Sequence, residues 1–254
     1  MKILITNDDG VYASGIFEIA KVLSKDHHVT VIAPDRQKSA CAHSITMHKP
    51  LIIHEVSLKG LDNCDCYTLN GTPADCVKIA VESGMFEKPD IVISGINQGA
   101  NLGTDVFYSG TVGGALEGCM HSVRSFALSV TSHYTRYLDQ AAAVFNKLLF
   151  LDYSSIPKST AININIPDIP AAEIKGIKIV RQGQAIYSDP IIKREHPSGY
   201  DYFWLGGKLQ HEIQEGVDIG TVFEGYIVIM PMKCDVTDYD QISALKEIAD
   251  KVLL

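Results

Sequence analysis

An α/β fold of Rossmann-like type, a mainly parallel sheet flanked by helices with a carboxyl-terminal β-hairpin and helix extension, is what the sequence predicts. Three observations predict it. First, Ile3-Leu4-Ile5, His28 to Ala33 and Ile91-Val92-Ile93 are short, largely apolar runs, and the first and third have no polar alternation, as in strands buried on both faces of a parallel sheet. Second, segments with apolar residues at helical spacing lie between such runs, so strand and helix alternate. Third, the alternation stops near residue 177, where aromatic residues stand among glycine and proline. The 254 residues read as one α/β domain, with a core of about 1–170 plus 221–235, an extension of about 177–215 and a C-terminal helix over 240–254.

Taken in order, the first strand ends abruptly at Asn7-Asp8-Asp9-Gly10. Gly15 to Ser24 places Ile16, Ile19, Ala20 and Leu23 on one helical face, and the strand at His28–Ala33, stopped by Pro34, completes a β-α-β unit. Ile45-Thr46-Met47 and Leu51-Ile52-Ile53 read as short strands. Tyr67-Thr68-Leu69 leads into Asn70-Gly71-Thr72-Pro73, a turn with a helix-starting signature, and the helix spans Ala74 to Ser83. The strand at Ile91–Ile93 runs into a loop rich in glycine and amides, Ser94 to Gly103. A helix capped by Ser109 or Thr111 extends to about His121, with Gly113, Gly114 and Gly118 suited to close packing on the sheet. Phe126–Val130 is a strand, Leu138–Leu151 a helix, and Ala161–Ile166 a strand that Pro167 terminates. Ile177–Val180 opens the extension. There Tyr187, Tyr200, Tyr202, Phe203 and Trp204 read as hairpins concerned with assembly or substrate access. Thr221 to Pro231 reads as a strand interrupted at Gly225, and Asp240 to Leu254 as a closing amphipathic helix.

A formal charge of -8 argues against binding a nucleic-acid polymer, which needs a basic face, but leaves room for a small anion held locally. The amino terminus lacks a signal-peptide pattern and no run reaches membrane-spanning length, so a cytoplasmic protein with no membrane partner is expected. The six cysteines are scattered and are expected to be reduced; Cys64-Asp65-Cys66 lacks further ligands at zinc-site spacing and reads as a loop feature.

The chemistry concentrates in the polar segments that follow strands. Two adjacent carboxylates, Asp8 and Asp9, stand at the carboxyl end of the first strand, where open α/β sheets bind ligands, and they repel each other unless a cation or a proton intervenes. Taken alone, the segment reads equally as a polar turn with Asp9 capping the next helix. After the second strand, Asp35 to Ser39 supplies two cations and a hydroxyl; after the third, Asn97 and Asn101 supply amides. Asp8, Asp9, Ser39 and Asn97 make an all-oxygen set suited to Mg²⁺, Mn²⁺ or Ca²⁺. Such an ion polarises a phosphoryl oxygen and acidifies water, the chemistry of phosphate-ester hydrolysis, and Ser109, Gly110 and Thr111 at a helix start offer donors to the phosphate.

These residues resemble a known family, the stationary-phase survival protein SurE family of metal-dependent 5'/3'-nucleotidases. The matching stretches are Ile5 to Val11, Ala33-Pro34-Asp35-Arg36 with Ser39, Gly71 to Val77, Ser94 to Gly103 and Tyr108 to Val112, in the same order, with similarity continuing through Asn163–Pro167 and Glu224-Gly225-Tyr226. The resemblance implies one divalent metal ion per subunit, Mg²⁺ or Mn²⁺, on Asp8, Asp9, Ser39 and Asn97. It places Asn101, Ser109, Gly110 and Thr111 around the phosphate. It further implies release of phosphate from nucleoside 5'- and 3'-monophosphates, with exopolyphosphatase activity in some members, and a homodimer or homotetramer built through the extension. Asp8 or Asp9 would also orient the attacking water. Ser14 and Gln98 depart from the family pattern.

Two further classes compete: a nucleotide-binding module that holds its ligand without turnover, and a nicotinamide-dependent oxidoreductase. The second is disfavoured, because no G-x-G-x-x-G follows the first strand and the acidic pair would oppose a pyrophosphate. No Walker-type lysine loop, G-x-S-x-G elbow or H-E-x-x-H helix is present.

Overall fold

Apolar strands with no wet face need cover on both sides, and the helices between them supply it. The computed structural model of the chain describes residues 1–149, 151–189, 191–210 and 215–252. In chain order come β1 (Lys2–Thr6), α1 (Ser14–Leu23), β2 (His28–Pro34), β3 (Ile53–Glu55), β4 (Cys64–Leu69), α2 (Pro73–Glu82) and β5 (Ile91–Gln98). A 3-10 turn (Gly103–Phe107) precedes α3 (Gly110–Met120), β6 (Arg124–Val130), α4 (Leu138–Leu149) and β7 (Thr160–Ile166). The extension holds β8 (Ile177–Ile179), β9 (Ile186–Ser188), β10 (Ile191–Glu195), β11 (Asp201–Leu205) and β12 (Lys208–Gln210). The chain then forms α5 (Asp218–Phe223), β13 (Ile227–Lys233) and α6 (Ile242–Ala249).

Among the described residues one sheet has nine strands in the order β3-β4-β2-β1-β5-β6-β7-β13-β8. From β4 to β7 all neighbours are parallel; β3 runs antiparallel to β4, and β13 antiparallel to β7. Side chains alternate across the central strands. Ile3 and Ile5 face the cluster built with Ile16 and Ile19 of α1 and Phe145 of α4, while Leu4 faces Val77 and Ala80 of α2. Each fully buried aliphatic of this kind stabilises the fold by ~1.5–3 kcal/mol of transfer free energy. α3 lies close to the sheet: a Cβ on Gly118 would meet Ser125 Oγ at 2.3 Å and Val92 Cβ at 3.0 Å. β1 sits at the reversal of strand order, with β2 on one side and β5 on the other, so the carboxyl ends of these three strands border one crevice.

The extension contains the expected hairpins, β10 with β11 and β9 with β12. It is joined to the core by hydrogen bonds: the Gly103 and Gly183 N–H groups donate to Asp218 at 2.7 and 2.8 Å, the Ala185 N–H donates to Thr104 Oγ1 at 3.2 Å, and the Tyr187 hydroxyl donates to Asp105. No helix among the described residues is long and apolar enough to cross a membrane.

The structure differs from the sequence reading in five places. Ile45–Met47 is not a strand, because Thr46 gives both its N–H and its hydroxyl to Asp75 instead of a ladder. The strand expected at 51–53 begins at Ile53. Thr221-Val222-Phe223 belongs to α5, with the strand starting only at Ile227. Cys64-Asp65-Cys66 lies on β4 instead of a loop. The final helix ends at Ala249, and the helix positions expected at 150, 253 and 254, like 190 and 211–214 of the extension, lie outside the described residues.

Candidate functional site

The segment after β1 is shaped by its own side chains. Asn7 donates from Nδ2 to the Gly10 carbonyl at 3.0 Å and accepts the Gly10 N–H at 3.1 Å, closing a buried turn that ends on Gly10 at φ +100°. Asp8 and Asp9 are therefore held by the backbone, and Asp9 does not cap the next helix. α1 starts at Ser14 with Ala13 at its N-cap and no side-chain cap. The Lys38 N–H donates to the Asp8 carbonyl at 2.6 Å, drawing the segment after β2 against the first.

At the end of β5 the pairing with β6 shifts register between Ser94 and Asn97, the kind of irregularity that re-aims a side chain. Gly95 is required there: a Cβ would lie 2.2 Å from the Leu128 carbonyl oxygen. Asn97 donates from Nδ2 to the Gly99 carbonyl at 2.7 Å, which leaves Oδ1 as the amide's acceptor.

A cleft of about 280 Å³ gathers Asp8, Asp9, Ser39, Asn97, Asn101 and Ser109 along its wall. Gly110 and Thr111 stand behind that wall. The buried Thr111 hydroxyl donates to Asp8 Oδ1 at 2.6 Å, and the N–H groups of Gly110 and Thr111 bond to the same carboxylate. The open amides of the α3 N-terminus are thus turned on Asp8, with Ser109 as N-cap accepting the Val112 N–H at 3.0 Å. Asn101 is buried and fixed: Nδ2 donates to Ser129 Oγ at 2.7 Å, its N–H to Asn165 Oδ1 at 2.8 Å, and its carbonyl accepts from Asn163 and Asn165.

Burial pushes the Asp8 carboxyl upward, against the hydrogen bonds from Thr111 and Gly110. Asp9 is pushed upward first by burial and then by the Asp8 charge, partly offset by hydrogen bonds from Gln98 and Gln37. Among the described residues no lysine or arginine pairs with either group, and no cluster of three or more His, Cys, Asp or Glu residues could hold a metal. Two strained carboxylates completed by the neutral oxygens of Ser39 and Asn97 are a donor set that a hard divalent cation satisfies and softer metals do not. The nearby Cys41 thiol, pushed up to about 11 by burial and then by Asp8, stays protonated near neutral pH and offers no thiolate.

Sequence reasoning did not single out Gln37, Asp105 and His133, which also line the cleft. His133 follows β6, and its position after a parallel strand was a usable signal. It lies against Gly99, where a Cβ would come within 2.5 Å of its ring, and its Nδ1 is 3.0 Å from the Gln98 carbonyl. A second cleft of about 300 Å³, lined by Arg181, Gln184 and Gln210 among others, has no carboxylate among the described residues of its wall.

The chain is similar to known proteins over nearly its whole length. The family model described as Survival protein SurE matches residues 3–189. A protein named 5'-nucleotidase SurE from Natranaerobius thermophilus is 44% identical over 252 residues, covering 96% of this chain and 97% of its own length. One of the same name from Thermosipho melanesiensis is 43% identical over 249 residues, covering 97% of each. The crystal structure of the SurE protein from Aquifex aeolicus superposes with a TM-score of 0.85 at 34% identity, covering 98% of this chain and all of that one.

Proposed function

The chain belongs to the SurE family, and on that footing we propose that it is a divalent-metal-dependent phosphomonoesterase that hydrolyses nucleoside 5'- and 3'-monophosphates. The observation that carries the reading is the adjacent acidic pair at the strand-order reversal, facing Ser39, Asn97 and the start of α3 across one cleft.

In this reading Asp8, Asp9, Ser39 and Asn97 hold one Mg²⁺ or Mn²⁺ per subunit. When bound, the ion supplies Lewis-acid polarisation of a phosphoryl oxygen and an acidified water. Thr111 and the N–H groups of Gly110 and Thr111 fix the Asp8 carboxylate, so its orientation costs nothing at the moment of reaction. Asp9, less buried than Asp8, orients the attacking water. Ser109 donates its hydroxyl proton to a phosphate oxygen while its lone pair keeps the Val112 N–H. Asn101, already locked between Ser129 and Asn165, bounds the phosphate on the far wall. The exposed apolar hairpin of the extension supports assembly as a homodimer or homotetramer.

The test is phosphate release from 5' and 3' nucleoside monophosphates and short polyphosphate, measured with EDTA, Mg²⁺ or Mn²⁺. Activity should require the metal, and Asp8→Asn should lower it by about 10²-fold or more while circular dichroism stays unchanged. Wild-type protein that releases no phosphate with any metal sinks the proposal.

A further inference from the structure

Ser39 rides on a long irregular segment between β2 and β3, so something must hold it in place. Ala40 and Ala42 sit in the left-handed region at φ +56° and +53°. Such residues persist only where the surroundings over-determine them, and each costs on the order of 1 kcal/mol. Anchors flank the strained pair. The Lys38 N–H bonds Asp8 on one side; on the other the Ala42 N–H donates to the Tyr108 carbonyl at 2.9 Å, and Thr46 bonds Asp75 twice.

One anchor is of a different kind. His43 Nε2 lies 2.7 Å from Glu117 Oε2, on the third turn of the helix whose first turn holds Asp8. Glu117 is only 4% exposed, and a carboxylate so buried is costly unless its partners are in place. They are: besides His43, His121 Nε2 lies at 3.0 Å and Lys78 Nζ at 3.7 Å. The backbone closes on the helix at the same spot, since a Cβ on Gly113 would meet the Ala42 carbonyl oxygen at 2.6 Å and His43 Cα at 3.0 Å.

We propose that Glu117, acting through His43, is a positioning residue for the cation site: it locks residues 39–46 onto α3 and so presents Ser39 to Asp8, Asp9 and Asn97. The inference rests on the metal-site reading given above. Among the described residues, Glu117 and His43 are not part of the cleft's lining. Their loss reaches the site by freeing the segment that carries Ser39, and the Ser39→Ala background below separates this route from a shift of α3.

The test titrates the full-length protein with Mn²⁺ alone, without nucleotide, and reads free Mn²⁺ by electron paramagnetic resonance. His43→Ala and Glu117→Gln should each weaken binding by about tenfold, the scale for residues that orient metal ligands. His121→Ala, which meets the same carboxylate but not the loop, should stay within about twofold of wild type. In a Ser39→Ala background, His43→Ala should add no further loss, because the two act on one ligand. At saturating Mn²⁺ the kcat of His43→Ala should return toward wild type, whereas general damage to the fold would lower it throughout. Mn²⁺ binding by His43→Ala equal to wild type, or losses from His43→Ala and Ser39→Ala that multiply, overturn the inference alone. A wild type that binds no Mn²⁺ overturns the metal-site reading and this inference with it.

Discussion

Burial pushes the carboxyls of both Asp8 and Glu117 upward, yet their hydrogen-bonding partners give the two groups opposite outcomes. The Glu117 carboxyl is held below the usual carboxylate range, chiefly by His43 and then, against burial, by His121 and Lys78. A group whose folded pKa is depressed stabilises the protein above its unfolded pKa and loses that contribution as pH falls through the folded value. The melting-temperature deficit of Glu117→Gln should therefore be full near pH 7 and shrink below about pH 4, measured by calorimetry across that range. A deficit that grows on acidification would reverse the assignment. At this scale the acidic pair was legible because adjacent carboxylates after a buried strand have few innocent explanations. Glu117 and Asp218 were not, since a single acid in a glycine-rich helix or before a β-branched run looks like surface until its partners arrive from residues far along the chain. Ser14 and Gln98, the two departures from the family pattern, turn out to meet: Gln98 Nε2 donates to Ser14 Oγ at 2.7 Å, tying the segment after β1 to the end of β5.

Among the elements, α3 shows how packing overrides propensity. Replacing an interior helical glycine by alanine ordinarily stabilises by ~1 kcal/mol. At Gly113 the new Cβ would press on backbone atoms of Ala42 and His43, which cannot rotate away, and overpacking of this kind costs ~1–3 kcal/mol. Gly113→Ala is therefore expected to lower the melting temperature despite its better helix propensity, an outcome that thermal unfolding reads directly. The parallel strands and their helices were readable because burial on both faces writes an unbroken apolar run. The errors fell where that signal fails. Thr221-Val222-Phe223 has strand-like composition but lies within α5, whose first residue Asp218 accepts the N–H groups of Gly103, Gly183 and Ile219. Ile45–Met47 has the same composition and is diverted by Asp75, the residue that also completes the capping box of α2 with Thr72.

For the whole molecule, the decisive contrast is between a core whose central strands are almost wholly buried and an extension that leaves large side chains in water. Ile191, Phe203, Trp204 and Leu205 of the β10–β11 hairpin are 61%, 59%, 64% and 84% exposed. Exposed apolar side chains of this number are what the proposed assembly would cover. Trp204→Glu is expected to shift the mass found by light scattering toward the monomer without altering the far-ultraviolet spectrum of the core. The sequence disclosed that hairpins were there, from aromatics among glycine and proline, but not how they attach, because the attachment depends on Asp218 and on Tyr187 meeting Asp105. That attachment has a kinetic corollary. Asp105 and Asn101 flank the very turn to which Asp218 is fastened, so the wall of the cleft and the exposed hairpins share one stretch of backbone. If the chain assembles through these hairpins as proposed, turnover per chain should depend on dilution: the far wall loosens as the subunits part, and the progress curve of a freshly diluted sample bends downward.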